Sequence, residues 1–177
     1  MSPFAAWTVS IAATAASTWA LDAFAAVAGG GLVASGLLDD LGHRWVLVFL
    51  VVSYAAWAAG LRANLLANGK LLAATGTSTN VLSKAAYDLV RGRRAKRVAA
   101  AVAYTGTEIA KEVPYYAAAF GAAAVTDTIT ADEALIFLGG ANLGAAFYEV
   151  VVAKLTVAIL RRRGQARPNA TKSASAI

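Results

Sequence analysis

The chain has no cysteine, one histidine and three prolines among its 177 residues. Without cysteine there is no disulfide framework, no thiolate metal site and no cysteine nucleophile. A single histidine, His43, excludes a histidine-rich metal centre. Any Ser-His-Asp triad would also have to use it, far in sequence from the carboxylates considered below. Charge is scarce as well: 15% of residues are Asp, Glu, Lys or Arg, against 59% hydrophobic. Soluble domains are about 25% charged and about 45–50% apolar, and one of this length has too little interior for so much apolar surface. The same richness excludes disorder. No P-loop occurs. The net charge of +6 invites a nucleic-acid reading, but the positions of the bases explain it otherwise.

The apolar residues fall into four stretches. Phe4–Leu38 is broken only by Asp22, and Trp45–Leu61 follows. Val98–Thr126 contains Glu108, Lys111 and Glu112, and Ala134–Leu160 contains Glu149 and Lys154. A spanning helix needs about 20 mainly apolar residues. The lengths predict an all-α integral membrane protein, a four-helix bundle with spans near 4–27, 45–61, 98–126 and 134–160. These form one transmembrane domain over 1–163, followed by a disordered basic tail, 164–177. As one helix the first stretch would be roughly 52 Å long, against a hydrocarbon core of about 30 Å. Gly29, Gly30 and Gly31 weaken a helix, so span 1 is expected to end near Val27, with a kinked or interfacial extension to Leu38. A signal peptide cleaved at Ala20 is the competing reading. It wants a basic start, and the first ten residues contain no Lys or Arg.

Charge asymmetry predicts the topology. Residues 62–97 carry eight bases against Asp88 alone, and residues 161–177 carry five bases and no acid. The remainder of the chain is net negative, with most of its acids in short connections near Asp39–Arg44 and Asp127–Glu133. Lys and Arg collect on the cytoplasmic side of membrane proteins. Both termini and the 62–97 segment are therefore expected in the cytoplasm, and the plasma membrane of a bacterium is the expected location. The basicity then reports orientation, with no nucleic acid involved.

Within the cytoplasmic segment, Gly76–Asn80 reads as a turn, with Ser78, Thr79 or Asn80 as N-cap of a following helix. Leu82, Ala85, Ala86, Leu89 and Val90 recur at helical spacing from Val81 onward, which predicts an amphipathic helix at the membrane surface. Arg91, Arg93, Arg94, Lys96 and Arg97 follow, as either a topology determinant or a contact for anionic lipid headgroups.

The charges inside the apolar stretches point furthest. A charge at the bilayer centre costs roughly 2.5–3.5 kcal/mol on insertion scales and faces a bundle interior or a wet cavity. Glu108 and Glu112 share one helix face, with Lys111 in reach of Glu108 as a counter-charge and Tyr104 and Tyr115 extending the stripe. Pro114 frees a backbone carbonyl nearby. Glu149 and Asn142, seven apart, share a face of the last span, and Asp22 stands in the first. Gly140 and Gly144 form a G-x-x-x-G pair, suited to packing within the chain or to an oligomer seam. Glu108, Glu112 and Glu149 are the candidate ion- or proton-binding residues, the alternative being an internal salt bridge that locks helices. Together they would also make an all-oxygen site for a hard cation.

The pattern predicts a small transport protein or channel moving a cation or protons, working as a homo-oligomer. An accessory or scaffold subunit of a larger membrane complex is the alternative, and a lipid-processing enzyme a weaker third reading. No cofactor is implied.

Overall fold

The computed structural model describes residues 2–81 and 129–174, with backbone alone from 163 onward, and isolated positions between 85 and 126. The described chain is helical and contains no strand. Helix α1 is Pro3–Ala34, α2 is His43–Thr75 and α3 is Ala131–Ala174. In each, Pro3–Ala34, His43–Thr75 and Ala131–Arg162 respectively, a segment is long and apolar enough to cross a membrane. The expected third span, 98–126, and the amphipathic helix after Val81 lie outside the described residues apart from isolated positions.

The helices begin and end where local chemistry dictates. Ser2 caps α1 by accepting a bond from the Ala5 N–H at 3.2 Å, and Pro3 fills the first helical position, where no backbone donor is needed. Gly76 ends α2 in the left-handed region (φ 73°), its N–H bonded to the Leu72 carbonyl at 2.8 Å. Thr130 and Glu133 form a reciprocal cap at the start of α3. The Thr130 N–H donates to Glu133 Oε2 at 2.5 Å, and the Glu133 N–H donates to Thr130 Oγ1 at 3.2 Å.

One boundary corrects the sequence reading, and a second helix is longer than the apolar stretch it contains. Helix α1 does not end near Val27 but continues through Gly29–Gly31 to Ala34. In lipid every unpaired backbone group is costly, so the helical bonds persist. Gly29 is also needed where it is, since a Cβ there would stand 2.6 Å from the Phe137 carbonyl oxygen. Helix α3 runs to Ala174, through residues assigned to a disordered tail.

Helix α3 lies between the other two and packs against both. Its contacts with α1 are antiparallel: Gly140 meets Gly29, Gly144 meets Ala25 and Ala28, and Phe147 stacks on Phe24 with ring centroids 5.7 Å apart. Its contacts with α2 run parallel, with Phe49 over Gly139, Gly60 against Ala146, and Asn64 beside Glu149. His43 and Asp132, bonded at 2.6 Å, mark one end of the bundle. Ser10 and Ser78 mark the other, where α1 begins and α2 ends. The core is built from Leu21, Ala25, Trp57, Leu61, Leu65, Ala141, Ala145 and Ala146. Half of these are alanine, which suits helices in lipid that associate by close backbone approach. Large apolar side chains instead face outward, Trp19 81% exposed and Val27 75%, the surface of a chain embedded in lipid.

Candidate functional site

Among the described residues, Glu149 is the acidic side chain the fold buries, at 2% exposure. Gly60 places α2 close enough to reach it: a Cβ at that position would meet the Ala146 backbone and the Glu149 Cβ. One turn beyond Gly60, the Asn64 carboxamide donates from Nδ2 to Glu149 Oε2. One turn further, Asn68 Nδ2 donates to Asn64 Oδ1 at 2.6 Å and to the Asn64 carbonyl at 3.2 Å. The i, i+4 spacing stacks the two carboxamides on the face turned toward α3. Both asparagines are fully buried, at 2% and 0% exposure.

The network continues into the segment after α2. Asn68 Oδ1 accepts from Ser78 Oγ at 2.9 Å, from the Thr79 N–H at 2.7 Å and from Thr79 Oγ1 at 2.9 Å. Ser78 and the following turn are then tied to α1. The Ser78 N–H donates to Ser10 Oγ at 3.0 Å, and the Val81 N–H donates to Thr14 Oγ1 at 3.1 Å. Ser10 and Thr14 are again i, i+4, and both are buried. A continuous chain of hydrogen bonds therefore joins α3, α2, the turn and α1. From Thr79 through Asn68 and Asn64 every bond donates in the direction of Glu149. Aligned bonds in a low-dielectric interior polarise one another, which favours a negative charge at the accepting end.

Depth matters to what this site can reach. Glu149 is eighteen residues beyond the start of α3, roughly 27 Å along the helix. It therefore lies nearer the end of the bundle marked by Ser10 and Ser78 than the end marked by His43 and Asp132. Arg62, Lys70, Lys154, Arg161 and Arg162, all exposed, mark that same end.

The other expected residues are placed as follows. Asn142 is half-buried on α3, outside this network, and Asp22 is half-buried on α1. Gly140 and Gly144 face α1 of the same chain. Added Cβ atoms would stand 2.9 Å from Gly29 Cα and 2.6 Å from Ala28 Cβ. His43 pairs with Asp132 across the mouth of a cleft of about 710 Å³ that Asp39 and Glu133 also line. Glu108, Lys111, Glu112, Pro114 and Tyr115 lie outside the described residues, as do Tyr104, Arg91, Arg93, Arg94, Lys96 and Arg97. Sequence reasoning missed Asn64, Asn68, Ser10 and Thr14, and took Ser78 and Thr79 only as helix caps. The available signal was two polar i, i+4 pairs, one inside the first apolar stretch and one just beyond the second.

Chemically, the described site is one carboxylate among neutral carboxamides and hydroxyls. Among the described residues no three His, Cys, Asp or Glu side chains gather to hold a metal ion. No family model, curated protein or solved structure matches the chain.

Proposed function

We propose that the chain is a small integral membrane transport protein or channel that moves a cation or protons through an intramembrane carboxylate site. The observation that carries this reading is Glu149: a buried carboxylate in an apolar helical bundle, held by the Asn64 carboxamide at the head of a polar chain leading to the basic end. An ionisable residue in such a position costs free energy and marks ion or proton pathways. Glu149 is the ion- or proton-holding group in this proposal. Glu108 and Glu112 are further carboxylates on the path and Lys111 is their counter-charge. A fourth span over 98–126 completes the bundle, and a homo-oligomer supplies a pathway that four helices have little room for alone. In this proposal both termini are cytoplasmic and the membrane is the plasma membrane of a bacterium, a reading supported by the clustering of Lys and Arg in residues 62–97 and 161–177.

The test is flux in liposomes containing the purified chain. Wild type is expected to conduct protons or a monovalent cation, and Glu149→Gln to lose that flux while remaining folded. Glu108→Gln and Glu112→Gln are expected to do the same. Flux unchanged in all three variants defeats the proposal. No flux from wild type, with a second membrane protein retained in gentle detergent, favours an accessory subunit instead.

A further inference from the structure

We infer that the Gly76–Asn80 segment is a gate at the basic end of the bundle, latched by Asn68 and released when the charge on Glu149 is neutralised. This deepens the reading of Glu149 as the ion- or proton-holding group and rests on it.

The inference follows from the direction of the hydrogen bonds. An ionised Glu149 accepts only, so Asn64 must turn Nδ2 toward it and Oδ1 away. Asn64 Oδ1 then draws Asn68 Nδ2, which leaves Asn68 Oδ1 pointing at the segment after α2. That oxygen holds three donors from Ser78 and Thr79. The two carboxamides thus carry a polarity from the carboxylate to the segment. A cation seated on Glu149 reverses the demand, because it attracts Asn64 Oδ1 and repels Nδ2. Rotating the Asn64 carboxamide turns Nδ2 toward Asn68, and Asn68 must answer with its own oxygen. The Thr79 N–H then faces an N–H, and since a backbone amide only donates, that contact cannot survive. A proton on Glu149 removes the same bias by discharging the acceptor.

The segment is suited to the role. It is short and starts at Gly76, whose φ of 73° is a glycine-favoured pivot. Among the described contacts, the Asn68 carboxamide holds it on one side and the Ser10 hydroxyl on the other, Thr14 holds Val81 just beyond it, and Asn80 is engaged as well. Within the segment Ser78 and Asn80 are buried, at 1% and 5% exposure, while Gly76 is exposed.

Amide hydrogen exchange of the full-length chain in lipid nanodiscs tests this without a flux measurement. In wild type the amides of Ser78, Thr79 and Val81 are expected to be protected. Asn68→Ala should speed their exchange by about tenfold or more, and Glu149→Gln should do so severalfold, the loss expected when bonded amides open locally. Exchange within Val46–Trp57 should stay unchanged, which reports an intact bundle. Where Glu149→Gln fails to fold, Glu149→Met removes the charge with an unbranched side chain of similar length, and should release the same amides. Protection unchanged in Asn68→Ala, or unchanged in the Glu149 variant, overturns the gate. A gate that fails while flux depends on Glu149 leaves the transport proposal standing. A gate that opens while flux ignores Glu149 removes transport and keeps the latch.

Discussion

Gly60 of α2 lies directly against Ala146 of α3: a Cβ at position 60 would stand 2.8 Å from the Ala146 carbonyl oxygen and 3.3 Å from Glu149 Cβ. The absent side chain sets the distance between the two helices one turn above the Asn64–Glu149 hydrogen bond. The neighbour at 2.8 Å is backbone and cannot rotate aside, so any larger residue must separate the helices.

Gly60→Ala is therefore expected to destabilise the protein by about 1–3 kcal/mol, the usual range for overpacking a close contact. Gly60→Val should be worse. Gly30→Ala is the control, because nothing lies within 4 Å of a Cβ there. It should be neutral or stabilising by up to about 1 kcal/mol, since alanine is the better helix former. Denaturant unfolding in detergent, followed by circular dichroism, measures both. Equal midpoints for Gly60→Ala and Gly30→Ala would remove the close approach as an explanation.

The α1 interface makes the same demand at Gly144, where a Cβ would stand 2.6 Å from Ala28 Cβ and 3.3 Å from Ala25 Cα. Gly144→Ile is expected to detach α1, at a cost of at least about 2 kcal/mol. Because Gly144 faces its own chain, oligomer size by light scattering should be unchanged in any variant that still folds. Dissociation of an oligomer without loss of helix packing would assign the glycine pair to a seam between subunits.

Asn64 and Glu149 form a buried pair, so removing one partner costs more than removing both. Asn64→Leu leaves the carboxylate without its amide donor and should cost about 1.5–3 kcal/mol, the range for hydrogen bonds to charged groups. The double variant Asn64→Leu with Glu149→Met should recover much of that loss, because both polar groups leave the interior together. A double-mutant cycle in thermal melts reads the coupling. Additive single effects would mean the two side chains do not depend on each other.

Three of the four expected apolar spans, and Glu149 within the last of them, were legible in the sequence for a plain reason. In lipid the apolar surface must be continuous along a helix, so Trp45–Leu61 stands out and Glu149 is conspicuous within its stretch. The site around Glu149 was harder to read because apolar runs and helices do not end together. The second run stops at Leu61 and the basic Arg62 follows, yet the backbone stays helical to Thr75. Asn64 and Asn68 sit in that extra length, where composition suggests a solvated loop. Gly29–Gly31 misled in the opposite direction. Each glycine disfavours a helix by about 1 kcal/mol, but the close approach of α3 at Gly29 and Gly140 uses the missing side chains. Partners such as Ser10 and Ser78 are 68 residues apart, and no local pattern announces a contact at that range.

The opposite end of the bundle should be energetically quieter, and its two polar devices should differ. His43 and Asp132 are 62% and 43% exposed, so their 2.6 Å contact is screened by water. His43→Ala is expected to change stability by less than about 1 kcal/mol, as exposed pairs do. The Thr130–Glu133 pair instead satisfies two backbone N–H groups at the start of α3 that no helical carbonyl can reach. Thr130→Ala should cost about 1 kcal/mol, and Thr130→Ser should recover most of it by restoring the hydroxyl acceptor. Hydrogen exchange in the first turn of α3 distinguishes a local cause from a global one. Thr130→Ala should speed exchange around residues 131–134 while Val46–Trp57 remains as in wild type. Equal losses for His43→Ala and Thr130→Ala would mean that the end of the bundle is held by its surface charge pair rather than by the cap.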